Sequence, residues 1–240
     1  MLEEGMDQKK MVIRRAGERG HADHGWLRTW HTFSFADYHD EAWMGFKSLR
    51  VINEDFIAPG KGFDLHGHRD MEILTYVMSG ALRHVDTMGN NEVIRAGEFQ
   101  RMTAGTGVQH MEVSATQTEE THLYQIWILP KEKGLTPSYE SLVIPSAAEG
   151  SVSSGLLIAS LDGRDGSLTI HQDIEIRLYR LKAGETATIE VPTGKAGWVQ
   201  IVSGEVEVGG ETLRASDAVG TAETTEIKAV SKLELLGFVL

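Results

Sequence analysis

Two short stretches of this chain carry paired side chains of metal-ligand type. In "HGHRDMEILTYVMSG" (66–80) His66 and His68 are two residues apart, and in "TGVQHMEVS" (106–114) His110 and Glu112 repeat that spacing. On a β-strand, residues i and i+2 project from one face, about 7 Å apart at the backbone. If the two strands face each other inside a barrel, three imidazoles and one carboxylate converge. That donor set suits one divalent transition metal ion, Fe(II), Cu(II), Mn(II), Ni(II) or Zn(II). It leaves one or two positions open for water, dioxygen or a chelating substrate, whereas structural zinc sites are usually closed and often use cysteine. The chain has no cysteine, so disulfides and thiolate sites are excluded. Glu72 is the carboxylate nearest the histidine pair in sequence. It competes for a ligand role with a plainer reading, a strand-start residue that holds a turn or pairs with Arg69. An open metal beside a carboxylate suits a substrate with an acidic hydroxyl next to a carbonyl. The ion lowers the hydroxyl's pKa, and Glu112 takes the proton as ligand and general base in one.

These pairs need strands to hold them, and the chain supplies many. "SLRVINEDFI" (48–57), "EILTYVMSG" (72–80), "ALRHVDT" (81–87), "THLYQIWILP" (121–130), "IEIRLYRL" (174–181), "WVQIVSGEVEVGGETL" (198–213) and "KLELLGFVL" (232–240) are short, strand-like and bounded by turn residues. Glycine outnumbers proline 26 to 5, which suits tight turns between strands. The pattern predicts an all-β fold of the jelly-roll barrel type. Only "LTPSYESLV" (135–143) reads as a short helix or connector. An internal echo doubles the barrel. At a displacement of 124 residues, "YVMSGALRHV" (76–85) lies on "QIVSGEVEVG" (200–209), Gly60 on Gly184 and Gly80 on Gly204. The expected organisation is an N-terminal metal-binding barrel over 1–130, a Pro-, Gly- and Ser-rich connection over 131–155, and a C-terminal barrel over 156–240. The same displacement lays His66 and His68 on Glu190 and Pro192, so the second barrel is expected to lack the metal site.

Composition narrows the function classes. With 240 residues, 41% hydrophobic and 24% charged, the chain can build a real core. A net charge of −12 argues against a basic face for nucleic acid and against an anionic membrane surface. The opening "MLEEGMDQKKMVIRRAGERG" has no apolar core of signal-peptide length, and no stretch approaches a membrane span. A cytoplasmic protein is expected, as a monomer, with residues 1–10 as a polar extension. The histidines at 21, 24, 31, 39, 84, 122 and 171 have no partner at ligand spacing. Trp26, Trp30, Phe33, Phe35, Tyr38, Trp43 and Phe46 are expected to pack as a hydrophobic segment, with one or two rings reaching a pocket mouth. "AGTG" (104–107) lacks the lysine and helix of a phosphate loop.

The spacings also resemble the two cupin motifs: Gly60, His66, His68, Glu72 and Gly80, then Gly97 and His110. More narrowly, "GHADHGWLRTWHTFSFADYHDEAWMGFKSLRVINED" (20–55), "HGHRDMEILTYV" (66–77), "GEFQRMTAGTGVQHMEVS" (97–114) and "HLYQIWILPKEKGLTPSYE" (122–140) resemble the pirin family, above all its bacterial quercetinase-like members. The resemblance spans nearly the whole chain. It implies a bicupin with metal only in the N-terminal barrel, and His66, His68, His110 and Glu112 as ligands, which leaves Glu72 a structural residue. The family often has proline between the first two histidines; here Gly67 stands there. The implied activity is 2,3-dioxygenolytic ring opening of a flavonol such as quercetin by dioxygen, with release of carbon monoxide. The alternative that the family implies is a non-enzymatic, metal-dependent redox sensor that binds transcription factors.

Overall fold

The structure, a computed structural model, describes residues 11–145 and 150–240. The expected polar extension at 1–10 lies outside the described residues, as does part of the expected connection, 146–149. The strands run β1 (Met11–Arg14), β2 (Gly20–Asp23), β3 (Leu27–His31), β4 (Leu49–Ile57), β5 (Gly62–His68), β6 (Glu72–Ser79), β7 (Ala81–Asp86), β8 (Asn91–Arg95), β9 (Glu98–Thr103), β10 (Val108–Ser114), β11 (Thr121–Ile128) and β12 (Ser138–Val143). The second half continues with β13 (Val152–Ser160), β14 (Leu168–Thr169), β15 (Glu175–Leu181), β16 (Thr186–Ile189), β17 (Gly197–Ser203), β18 (Glu205–Val208), β19 (Glu211–Arg214), β20 (Ala218–Thr221), β21 (Thr225–Ala229) and β22 (Leu233–Val239). Among the described residues, no helix is long and apolar enough to cross a membrane.

The strands form two copies of one arrangement. A seven-stranded sheet ordered β12-β9-β6-β11-β4-β3-β2 covers a four-stranded sheet, β5-β10-β7-β8. The second copy pairs β1-β20-β17-β22-β15-β13-β14 with β16-β21-β18-β19. The echo in the sequence is thus a repeat of strand order. Gly80 and Gly204 both have positive φ, 72° and 87°. At either position a Cβ would run into the backbone that leads into β11 or β22, at Glu120 O (2.9 Å) or Lys232 O (2.1 Å).

Two details correct the expected boundaries. Residues 138–143 are neither helix nor loose connector: β12 pairs antiparallel with β9, from Ser138↔Thr103 to Val143↔Glu98. That pairing satisfies the outer edge of β9, and the buried Arg101 of β9 anchors it through Ser138 Oγ (2.7 Å) and Glu140 (2.6 Å). At the other end, β1 pairs with β20 of the second barrel. Met11 and Ile13 pack on that barrel's core, so the first described strand belongs to the C-terminal barrel.

Core placement explains why one barrel is open and the other closed. The two large sheets pack face to face. Phe33, Phe46, Leu74, Tyr76, Phe99 and Ile126 meet Ile158, Ile176, Trp198 and Phe238 in one shared core. This is why β4 is buried along nearly its whole length instead of alternating. Inside the second barrel a continuous apolar cluster, including Leu181, Ile189, Val206, Ile227 and Leu235, fills the space. Inside the first, apolar side chains form two smaller clusters, one around Ile57 and Leu123 and one around Ile73 and Met102.

Candidate metal centre

β5 and β10 are neighbours in the small sheet of the first barrel. Their register sets His66 opposite His110 but Phe63 opposite Glu112. Three steps along β5 therefore match two along β10, which is a β-bulge on β5. Without the extra residue, Phe63 and His66 would face opposite sides; with it, Phe63, His66 and His68 all line the cavity. The bulge also orients a ligand. His66 Nδ1 lies 2.7 Å from the carbonyl oxygen of Asp64. A carbonyl only accepts, so Nδ1 carries the hydrogen and Nε2 presents a bare lone pair. Just before the bulge the strands come very close. A Cβ on Gly62 would stand 2.1 Å from Glu112 O and 2.5 Å from Val113 Cα.

The structure brings His66, His68 and His110 together, with one ligand nitrogen of each within 4.8 Å of the others. His66 Nε2 and His110 Nε2 are 3.1 Å apart. Two nitrogens each about 2.1 Å from one ion and about a right angle apart would be separated by about 3.0 Å. The spacing therefore fits one ion shared by the two nitrogens, and it equally suits an Nε2–H of His110 donated to His66 when no ion is bound. Burial first, and then the neighbouring His110 and His66, push His68 down to about 4, which leaves it neutral and able to ligate near neutral pH. Burial likewise lowers His110.

Glu112 sits one layer deeper, 1% exposed. It groups with His110 and with a histidine that the sequence reading left without a role, His84. His84 is fully buried, 3.0 Å from Asp86 Oδ2 and 3.9 Å from Glu112 Oε1. Its Nδ1 and that of His110 are buried without a hydrogen-bond partner, and both histidines offer an atom within 4.8 Å of the Glu112 carboxylate. Burial works against charge on His84, yet Glu112 and Asp86 together raise it. For Glu112 burial pushes up, but His110, His84 and Gln125 outweigh it and hold the carboxyl at about 2. A signal for His84 was present in "ALRHVD": Leu82, His84 and Asp86 alternate inward on β7, and β7 sets His84 opposite Glu112.

Glu72 is elsewhere. It is fully buried at the start of β6, accepts from Thr103 Oγ1 at 3.0 Å, and lies 3.3 Å from Nδ1 of His171 in the second half of the chain. It does not join either ligand group, and its partner is His171 where Arg69 was weighed. His122 and His31 also have structural partners, Glu54 Oε1 at 3.0 Å and Asn53 Oδ1 at 2.8 Å.

His66 and His68 open on a cavity of about 740 Å³. Trp26, Phe35, Phe63 and Trp127 give it aromatic walls, and Glu112 and Gln125 reach it from below. Trp26 meets Phe63 edge-on at 5.2 Å, and Phe35 meets Trp127 edge-on at 5.3 Å. Of the aromatic segment at 26–46, Trp26 and Phe35 line the cavity, whereas Phe33, Trp43 and Phe46 surround Trp198 of the second barrel.

Residues 12–128 match the Pirin family, and residues 157–240 match the Quercetinase C-terminal cupin domain. A protein named quercetin 2,3-dioxygenase from Escherichia coli K12 is 47% identical over 230 residues, which cover 95% of this chain and 97% of the relative. The chain belongs to the pirin family. This pirin is also similar in structure to YhhW from Escherichia coli, with a TM-score of 0.92, 46% identity and coverage of 96% of this chain and 97% of the other. A structure of bacterial pirin YhhW in complex with nickel(II) gives a TM-score of 0.90 at the same identity, over 96% of this pirin and 98% of that chain. The duplicated barrel expected from the internal echo, and the bicupin that the resemblance implies, are the architecture of this pirin, and its second barrel is filled by apolar side chains where the first holds histidines.

Proposed function

We propose that this pirin is a metal-dependent flavonol 2,3-dioxygenase that opens quercetin-like substrates with dioxygen and releases carbon monoxide. The observation that carries the reading is the convergence of three imidazoles, two of which line an aromatic-walled cavity large enough for a flat polyphenol. The relatives' printed activity supports it. His66, His68, His110 and Glu112 would hold the ion. When bound, a divalent metal there supplies Lewis acidity toward a neighbouring hydroxyl and carbonyl, and reactivity toward dioxygen.

The chain's own residues do the rest. Trp26, Phe35, Phe63 and Trp127 bind and orient the planar rings and exclude water from their faces. Glu112 is ionised across the neutral range, so its free lone pairs can take the proton of the substrate hydroxyl. Because it is held at about 2, it accepts a proton only from a strongly acidified hydroxyl, and ligation and proton acceptance are coupled in one carboxylate. The lack of cysteine fits a reducing cytoplasm, where we place the activity of a monomer.

The test is aerobic. Protein is loaded in turn with Fe, Cu, Mn, Ni and Zn, and the near-visible absorbance of quercetin is followed. Absorbance should fall with wild type in at least one metal form. His66→Ala should lose both metal and turnover, and so should Glu112→Gln. Full cleavage by Glu112→Gln would remove the base role, and no turnover with any metal would favour the redox-sensor reading of the family.

A further inference from the structure

Glu112 does not hold its own position. Two glutamine amides grip it, one on each oxygen. Gln100 Nε2 on β9 donates to Glu112 Oε1 at 2.5 Å, and Gln125 Nε2 on β11 donates to Glu112 Oε2 at 2.8 Å. Thr75 Oγ1 stands 3.4 Å from Oε1 and 3.1 Å from Gln100 Nε2. Gln100 and Gln125 are 3% and 9% exposed, so water has little access to replace either donor. A carboxylate has about four lone-pair sites. The two amides fix its plane and leave other lone pairs for an ion.

An amide alone is an ambiguous clamp. Turned over, it would press its carbonyl oxygen against the carboxylate, replacing attraction with repulsion. Here both amides are held at the opposite end, strictly by the Trp127 N–H, which can only donate, and less strictly by the Tyr139 hydroxyl, which can also accept and stands 3.4 Å from Glu92 Oε2. The Tyr139 hydroxyl donates to Gln100 Oε1 at 3.0 Å, and Trp127 Nε1–H donates to Gln125 Oε1 at 3.2 Å. Tyr139 comes from β12, the strand that sequence alone assigned to a connection. Its ring stacks on His84 at 4.6 Å, while the Trp127 ring meets His68 edge-on at 4.9 Å.

We propose that Gln100 and Gln125 are positioning residues that aim the Glu112 carboxylate at the metal, and that Tyr139 and Trp127 lock the direction of those two amides. The proposal rests on the reading of Glu112 as a ligand, and the experiment separates the two. Nickel(II) is titrated into metal-stripped wild type and variants without substrate, and Cu(II)-loaded samples report the donor set by electron paramagnetic resonance. Near-UV circular dichroism checks folding. Gln125→Leu and Gln100→Leu should each weaken nickel binding by about 10- to 100-fold, the usual effect of removing a partner that orients a metal ligand. The milder Tyr139→Phe keeps its ring and removes only the O–H, and Trp127→Phe keeps an aromatic ring against His68 while removing the N–H with the rest of the indole. Each should cost about three- to tenfold, the worth of one hydrogen bond.

The decisive arm is coupling. Trp127→Phe should have no further effect on affinity once Gln125 is leucine, and Tyr139→Phe none once Gln100 is leucine. A role through packing on His68 or His84 would survive in those backgrounds and would overturn the lock. Wild-type affinity and an unchanged Cu(II) spectrum in both glutamine variants, with loss in Glu112→Gln, would overturn the clamp alone. Wild-type nickel affinity in Glu112→Gln would overturn the ligand reading itself, and the clamp with it.

Discussion

The close approach of β5 and β10 makes Gly62→Ala a sharp perturbation of the metal centre at a residue that has no side chain to ligate. A methyl group there would lie 2.1 Å from Glu112 O and 2.5 Å from Val113 Cα, against ordinary contact distances of about 3.5 Å. Both obstacles are backbone, so no side chain can swing aside. The strands must part by something of the order of 1 Å at this point, four residues before His66 and across from Val113, next to the Phe63–Glu112 pair. The Nε2 atoms of His66 and His110, 3.1 Å apart, would open toward the ~4.2 Å limit at which one ion reaches two nitrogens at ~2.1 Å only by lying between them in line. One imidazole is then lost from the shell, and nickel(II) affinity should fall by at least about 10- to 100-fold. Gly67→Ala is the control, because its methyl would meet only Val108 O at 3.7 Å and Gln109 Cγ at 3.8 Å. It should bind nickel within about threefold of wild type, a difference of less than ~1 kcal/mol. Isothermal titration of both variants, with circular dichroism to confirm the fold, decides the matter. Equal affinity in wild type and Gly62→Ala, or equal loss in both variants, would refute the reasoning from strand spacing.

Two further outcomes concern the scaffold. Glu54 is buried between Arg19 (2.8 Å) and His122 (3.0 Å); burial pushes its carboxyl up, but His122, Arg19 and Ser216 bring it from the ordinary 4.5 to about 2. A carboxyl depressed by folding stabilises above its unfolded value, so about 3 kcal/mol is lost as pH falls from about 4.5 to about 2. Thermal melts should show this acid slope in wild type and a flatter one in Glu54→Gln; parallel slopes would refute the linkage. Trp198 is fully buried, with Phe33 and Phe46 both 5.1 Å away. Trp198→Ala should cost about 3–5 kcal/mol in urea unfolding, and a loss below about 1 kcal/mol would show that the two large sheets do not share one core.

Much of the fold was legible because strand signals are local. The runs at 72–80, 81–87 and 232–240 became β6, β7 and β22 with ends shifted by at most one residue, since alternation and turn glycines act within a few residues. The segment 135–143 misled because its side chains face two environments: Tyr139 turns inward toward Gln100 and His84, while Glu140 turns to Arg101. Neither partner is near it in sequence.

The sequence by itself determined that His66 and His68 share a face, that His110 and Glu112 share another, and that the second half cannot repeat the histidine pair. The first two need only the two-residue period of a strand, and the third only the internal echo at 124 residues. Only the tertiary structure decided which strands meet. It placed a bulge in β5 so that Phe63 and His66 line one cavity, sent Glu72 to His171 instead of to the histidine cluster, and put His84, Gln100 and Gln125 around Glu112. It also gave β1 to the second barrel and β12 to the first. Strand pairing joins residues far apart in the chain, and its register depends on which cores can fill; the alternation within any one strand carries no record of either.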